Sequence, residues 1–145
     1  MEIEVSAIPP DGILPIWNKI APLFEKAIER RQQGSLESIF NRLAIQKRDL
    51  LWMVWEKDNL ENILTVVITR VIKGTTYNIL EIVFCGGEKK YLWMEHFPTL
   101  EKFAKENNCT KIQIKNGRKG WKKELDKYGM KVTGYTFEKI FKWKK

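Results

Sequence analysis

Leu80-Glu81-Ile82-Val83-Phe84-Cys85-Gly86-Gly87 decides the fold when it is paired with Thr110-Lys111-Ile112-Gln113-Ile114-Lys115 further along the chain. The first stretch is apolar, rich in β-branched and aromatic residues, and stops at a glycine pair. It reads as a strand over 77–85 broken by Gly86-Gly87. Between the two stretches, Leu92, His96, Leu100, Phe103, Ala104 and Asn107 recur at helical spacing, with a break or kink expected at Pro98. The second stretch is a short strand with Ile112 and Ile114 on one side, turned by Asn116-Gly117. A strand–helix–strand unit of this kind is a crossover, so its two strands lie parallel and its connection is right-handed.

Upstream of that unit the pattern is a meander. Leu50–Glu56 is apolar on both faces, which suits a central strand, and it puts Trp52 and Trp55 on opposite faces. Lys57-Asp58-Asn59 turns the chain into a β-branched strand over 63–72, and Lys73-Gly74 turns it again. Earlier still, Ile3, Val5 and Ala7 alternate with Glu2, Glu4 and Ser6 as a half-buried strand that Pro9-Pro10-Asp11-Gly12 stops. Ile16, Ile20, Phe24, Ala27 and Ile28 then follow a helical stripe over 13–31. Pro15 suits its first turn, and Pro22 should kink or restart it. Gly34 ends that helix. Ser35 caps a second one that turns Leu36, Ile39, Phe40 and Leu43 inward.

Downstream, residues 118–128 spell a helix burying Trp121, Leu125 and Tyr128 and closed by Gly129. Strands over 131–135 and 136–141 finish the chain. The expected fold class is α/β: a single domain over 1–145 with a mixed sheet, helices on both faces, and the order β-α-α-β-β-β-α-β-α-β-β.

Composition narrows the function. The chain has 145 residues, 43% of them hydrophobic, with six tryptophans, seven phenylalanines and four tyrosines. That excludes disorder and fits one domain with a real core. One histidine and two distant cysteines exclude a zinc module. A histidine-dependent nucleophilic enzyme would have to rest on His96, which reads instead as a satisfied core or boundary residue. No apolar run is long enough to span a membrane, and Met1-Glu2-Ile3-Glu4-Val5 is no signal peptide. A cytoplasmic location follows as the expectation, with Cys85 and Cys109 as free thiols at opposite ends of the sheet.

Charge is uneven. Residues 1–72 carry 9 Lys/Arg and 10 Asp/Glu, whereas residues 73–145 carry 17 and 8, a net of +9 in the second half. Lys111, Lys115, Arg118, Lys119, Lys122 and Lys123 form the densest run. Such a face attracts anions: a small phosphorylated ligand or, non-specifically, nucleic acid. A merely solvated lysine-rich surface is equally compatible.

The tail Glu124-Leu125-Asp126-Lys127-Tyr128-Gly129-Met130-Lys131-Val132, with the element order, resembles the GNAT superfamily of acyl-CoA N-acyltransferases. The run Gly117-Arg118-Lys119-Gly120-Trp121 resembles small GNAT-like proteins of tailed phages. The resemblance implies acetyl-CoA or another acyl-CoA as cofactor and an amine as acceptor. It places the cofactor pyrophosphate on the loop after the 77–85 strand, where a helix start offers N–H groups to an anion. Here that loop reads Phe84-Cys85-Gly86-Gly87-Glu88-Lys89-Lys90, with Glu88 where a pyrophosphate would sit. Asn116, Arg118 and Trp121 complete the implied cofactor set. If the glycine pair serves only as that cradle, Gly87→Asp should remove anion binding with little effect on folding.

The same resemblance implies a tyrosine four residues before Gly129 to protonate the leaving thiolate, and Leu125 stands there. Glu81 falls where some family members carry a catalytic glutamate. A carboxylate among apolar neighbours is tuned toward a base, and a glutamate facing solvent or paired with a lysine is the alternative. The implied protein is a divergent N-acetyltransferase with a degenerate acyl-CoA pocket and weak or lost catalysis. The rival is a non-catalytic GNAT-like protein that binds a protein or nucleic-acid partner through its basic half.

Overall fold

The computed structural model of the chain describes residues 3–31, 34–87, 92–115, 121–134 and 139. The chain divides into two compact units, Met1–Lys115 and Asn116–Lys145.

The first unit carries a five-stranded sheet in the order β1 (Ile3–Ile8), β2 (Leu50–Glu56), β3 (Asn59–Ile72), β4 (Asn78–Gly87) and β5 (Cys109–Ile114). The first four strands pair antiparallel, and β4 pairs β5 in parallel. The α/β class and the mixed sheet follow the sequence pattern, and the parallel pair is the one the crossover requires.

Helix α1 (Ile13–Arg31) buries Ile13, Ile20, Phe24 and Ala27. Ile13, Ile20 and Phe24, together with Ile39 and Leu43, pack on Leu51, Met53, Val66 and Ile68 of the sheet. The helix runs through Pro22 as one element, so the proline does not restart it. An interior proline costs about 3 kcal/mol. Burying Phe24 and Ile20 returns about 1.5–3 kcal/mol each, so the apolar stripe holds both halves on the sheet.

Ser35 caps α2 (Leu36–Phe40): the Ser38 N–H donates to its Oγ at 3.1 Å. The helix then widens into a π-helical turn over Asn41–Ile45, where the Gln46 N–H donates to the Asn41 carbonyl at 2.7 Å. The chain reverses at Lys47 (φ 55°), and the Arg48 and Asp49 N–H groups both donate to the Arg42 carbonyl.

The opposite face of the sheet is covered by α3 (Leu92–Glu95) and α4 (Phe97–Glu106). Trp52 meets Phe103 of α4 edge-on at 5.3 Å, while Trp55 packs with the α1 cluster, so the two tryptophans do face opposite ways. The helical stretch breaks at His96, two residues before the expected point. Pro98 sits in the first turn of α4, where its missing N–H needs no partner.

Two strand boundaries differ from expectation. β3 begins at Asn59 rather than at 63, and β4 runs through Gly86 and Gly87 instead of ending at Cys85. The ladder decides both: Asn59 pairs Glu56 of β2, and Val66 and Thr65 pair Gly86 and Gly87 of β4.

In the second unit, α5 (Lys122–Asp126) is the core of the expected helix, and Gly129 closes it at φ 81°. Residues 131–134 lie outside any strand, so a strand is not formed there. An alternating pattern holds a strand only where a neighbour supplies the ladder. The remainder of both expected closing strands, Tyr135 included, lies outside the described residues apart from 139.

Candidate active site

β4 contains a one-residue bulge. Phe84 pairs Ile68 and Ile82 pairs Thr69, so Val83 is the extra residue. A bulge inverts the alternation beyond it. Phe84 therefore lands on the α1 face, with its ring edge-on to Phe24 at 6.2 Å, and Cys85 is placed beside Val67 on the other face. Simple alternation from Glu81 would have put Cys85 in the place of Phe84. Phe84, implied as a cofactor contact, packs with the core cluster.

Just before the bulge β4 parts from β5. Their register ends at Ile82 opposite Ile114, while β4 continues to Gly87. The strands thus part beside Glu81, which stands opposite Arg70 of β3 and Gln113 of β5. The Glu81 side chain is 10% exposed, and its Oε1 lies 3.6 Å from Lys115 Nζ. Glu81 is therefore a buried carboxylate with a cation on either side.

The cation on β3 is itself clamped. Arg70 donates to Asp49 through Nε (2.8 Å to Oδ1) and Nη2 (3.0 Å to Oδ2). Arg42, from the π-helical turn, donates to the same carboxylate through Nε at 3.0 Å and Nη2 at 3.4 Å. The Asp49 side chain is 4% exposed. Burial pushes its carboxyl up, but the hydrogen bonds from Arg70 and then Arg42 outweigh it and hold the group below the ordinary value of 3.8. Arg70 is pushed up, first by the hydrogen bond to Asp49 and more weakly by the nearby Glu81 charge. The result is a row of alternating charge, Arg42–Asp49–Arg70–Glu81–Lys115, ion-paired at Arg42–Asp49–Arg70 and at Glu81–Lys115, with Arg70 and Glu81 opposite each other in the register. Sequence reasoning missed its first three members. The available signal was Arg70 itself, a charge set in the β-branched run Thr69-Arg70-Val71.

The glycine pair has a packing role. A Cβ at Gly86 would stand 2.6 Å from the Leu23 carbonyl oxygen of α1, and one at Gly87 would stand 2.3 Å from the Leu64 oxygen of β3. Gly87 also has φ 129°. The expectation that Gly87→Asp spares folding is therefore corrected: the space a side chain would need is filled by backbone. Lys89, Lys90, Asn116 and Arg118 lie outside the described residues. Trp121 is buried at the start of α5. His96 is half-buried and caps α4, and its Nε2 is buried with no hydrogen-bond partner, so it is not the satisfied histidine expected.

A separate cleft of about 270 Å³ is lined by Ser35, Glu37, Ser38, Asn41, Arg42 and Gln46, and meets the charge chain at Arg42. Among the described residues no three metal-ligating side chains cluster, and no helix is long and apolar enough to cross a membrane.

No protein-family profile matches the sequence, and no curated protein matches it. Solved structures do. An aminoglycoside acetyltransferase from an uncultured soil metagenomic sample, in complex with sisomicin, superposes with a TM-score of 0.67 at 12% identity, covering 97% of each chain. Glucosamine-6-phosphate N-acetyltransferase from Arabidopsis thaliana gives 0.68 at 13%, covering 98% of this chain and all of its own. A ribosomal-protein-alanine N-acetyltransferase from Brucella melitensis biovar Abortus 2308 gives 0.66 at 9%, covering 98% and 99%. The chain has the GNAT fold. At these identities the likeness carries architecture alone. Within the GNAT fold of this chain, the point where β4 and β5 part is occupied by a buried, doubly flanked glutamate, and the glycines beyond it are enclosed by backbone.

Proposed function

We propose that this chain is an acyl-CoA-dependent N-acyltransferase of the GNAT type whose turnover is weak. The observation that carries the reading is Glu81: a carboxylate buried one residue before β4 and β5 separate. For an acyl-CoA the reading is supported by the buried Glu81 carboxylate next to the point where β4 and β5 part. Lys89 and Lys90 of the implied pyrophosphate loop, and Asn116 and Arg118 of the implied cofactor set, fall outside the described residues, and the family resemblance implies them as its holders.

An acyl-CoA supplies the activated acyl group. The work left to the chain is to bind an amine and remove its proton. Glu81 lies where it can accept that proton, and Arg70, held rigidly by Asp49, keeps a cation beside the carboxylate. Attack then leans on proximity and on backbone hydrogen bonding. Leu125 stands at the acid position implied by the family, and the missing proton donor lowers the rate by about 10²–10⁴. The neighbours named above differ in what their names say they act on, so no acceptor is carried over.

Thermal shift tests the cofactor: acetyl-CoA at about 100 times its Kd should stabilise by about 2.7 kcal/mol. Glu81→Gln should lower acetyl transfer to small amines and leave that shift intact. The absence of a shift with acetyl-CoA, coenzyme A and pyrophosphate alike would sink this reading. It would leave the non-catalytic one, which Leu125 and the +9 charge of residues 73–145 favour. Nucleic-acid binding would then be non-specific, with a log–log salt slope of about −0.9 per phosphate contacted.

A further inference from the structure

The carboxylate proposed as base already holds an ammonium. Lys115 directly follows Ile114, the last residue of β5 paired with β4, and its Nζ lies 3.6 Å from Glu81 Oε1. Gln113 is the register partner of Glu81. Residues two apart on a strand point the same way, which is how the lysine reaches that carboxylate. The Lys115 side chain is 66% exposed while its partner is 10% exposed. Three other lysine pairs, Lys19–Glu61, Lys122–Asp126 and Lys127–Glu124, have carboxylates 78%, 50% and 38% exposed. Those are surface pairs of small energetic weight. Lys115 alone among them sets a solvent-reachable primary amine against a buried carboxylate at the strand separation.

We propose that Lys115 is an acyl acceptor in its own chain, a self-acylation site served by Glu81. This rests on the acyl-CoA reading above. The Lys115 ammonium passes one proton to the Glu81 carboxylate, and the freed nitrogen lone pair attacks the thioester carbonyl carbon. The C–N bond forms, the C–S bond breaks, and the nitrogen sheds a second proton. Of the two protons, one ends on the sulfur of coenzyme A and the other passes to solvent. The product is a neutral amide at Lys115. The ion pair with Glu81 is gone, and the carboxylate then faces Arg70 without a competing lysine. Acylation thereby clears the place that an external ammonium would take.

The test is incubation of the full chain with acetyl-CoA at neutral pH, followed by peptide mapping by mass spectrometry. Lys111 on the same strand is exposed and serves as the internal reference for uncatalysed acetylation. Acetylation of Lys115 should outrun that of Lys111, and Glu81→Gln should slow it by about 100-fold while Lys111 is unchanged. Should Glu81→Gln fail to fold, Glu81→Asp keeps the charge one methylene short and should slow the same site. Thermal shift with coenzyme A is read alongside. A shift with Lys115 labelled no faster than Lys111 overturns self-acylation and leaves the acyl-CoA reading standing. Preferential labelling that ignores both Glu81 variants also overturns the proposal. No shift and no labelling overturns both.

Discussion

Arg70 grips Asp49 with two parallel hydrogen bonds, Nε to Oδ1 at 2.8 Å and Nη2 to Oδ2 at 3.0 Å. The pair ties the loop before β2 to the C-terminal end of β3, and Arg70 stands opposite Glu81 in the register. Fork-to-carboxylate geometry of this kind is both strong and directional. The second arginine, Arg42, makes the carboxylate a three-residue joint rather than a simple pair.

Removing the carboxylate should be costly. Breaking a buried pair by deleting one partner loses about 3–5 kcal/mol, and partial exposure of both guanidiniums reduces this to about 2–3 kcal/mol for Asp49→Ala. Asp49 also sets a pH dependence. Its folded pKa lies below the unfolded value, so its contribution is fully present above about pH 4 and is lost as pH falls through the folded pKa. Urea melts from pH 6 downward should show wild type losing stability in that acid window more steeply than Asp49→Asn. Parallel curves would remove Asp49 as the cause.

The glycines divide sharply by environment. Gly87 has φ 129° and a backbone oxygen 2.3 Å from any added Cβ, whereas Gly129 has φ 81° and nothing within 4 Å. Gly129→Ala should cost only the left-handed strain, about 1–2 kcal/mol. Gly87→Ala adds a collision with β3 and should cost more than about 3 kcal/mol or abolish soluble expression. Equal midpoints for the two variants in urea would contradict the enclosure of Gly87.

On the α4 face, the Trp52 indole N–H donates to Thr69 Oγ1 at 2.9 Å, and both residues are buried. Thr69→Val leaves the indole N–H without this acceptor and should cost about 1–3 kcal/mol. In a double-mutant cycle with Trp52→Phe, the second substitution should cost about 1 kcal/mol less once the first is present. Strict additivity would show that the bond contributes nothing.

The acid position implied by the family resemblance can be probed by substitution. Leu125 is half-buried on α5, four residues before the closing Gly129. If the acid position is vacant for want of a phenol, Leu125→Tyr should raise the rate of thiol release from acetyl-CoA by about 10-fold or more. Brisk turnover by wild type, unchanged in this variant, would point to another acid such as Tyr128.

By itself the sequence determined whatever is encoded locally. The Ser35 cap, the glycine close of α5, the β2–β3–β4 meander and the parallel β4–β5 crossover all rest on short-range periodicity, turn residues and handedness, which need no distant partner. Glu81 was legible for the same reason, as a charge inside an apolar strand. Only the tertiary structure decided the rest. A bulge at Val83 arises from how β4 meets β3, and no property of Val-Phe-Cys announces it. Asp49 and Arg42 join Arg70 because a π-helical turn and a reversal at Lys47 bring them there. Pro22 is carried within an unbroken helix because the buried stripe around it outweighs its local cost. In one dimension Gly86 and Gly87 read as the end of a strand. In three they are where α1 and β3 approach β4 too closely for any side chain, because steric exclusion depends on what lies across the sheet and not on what is adjacent in the chain.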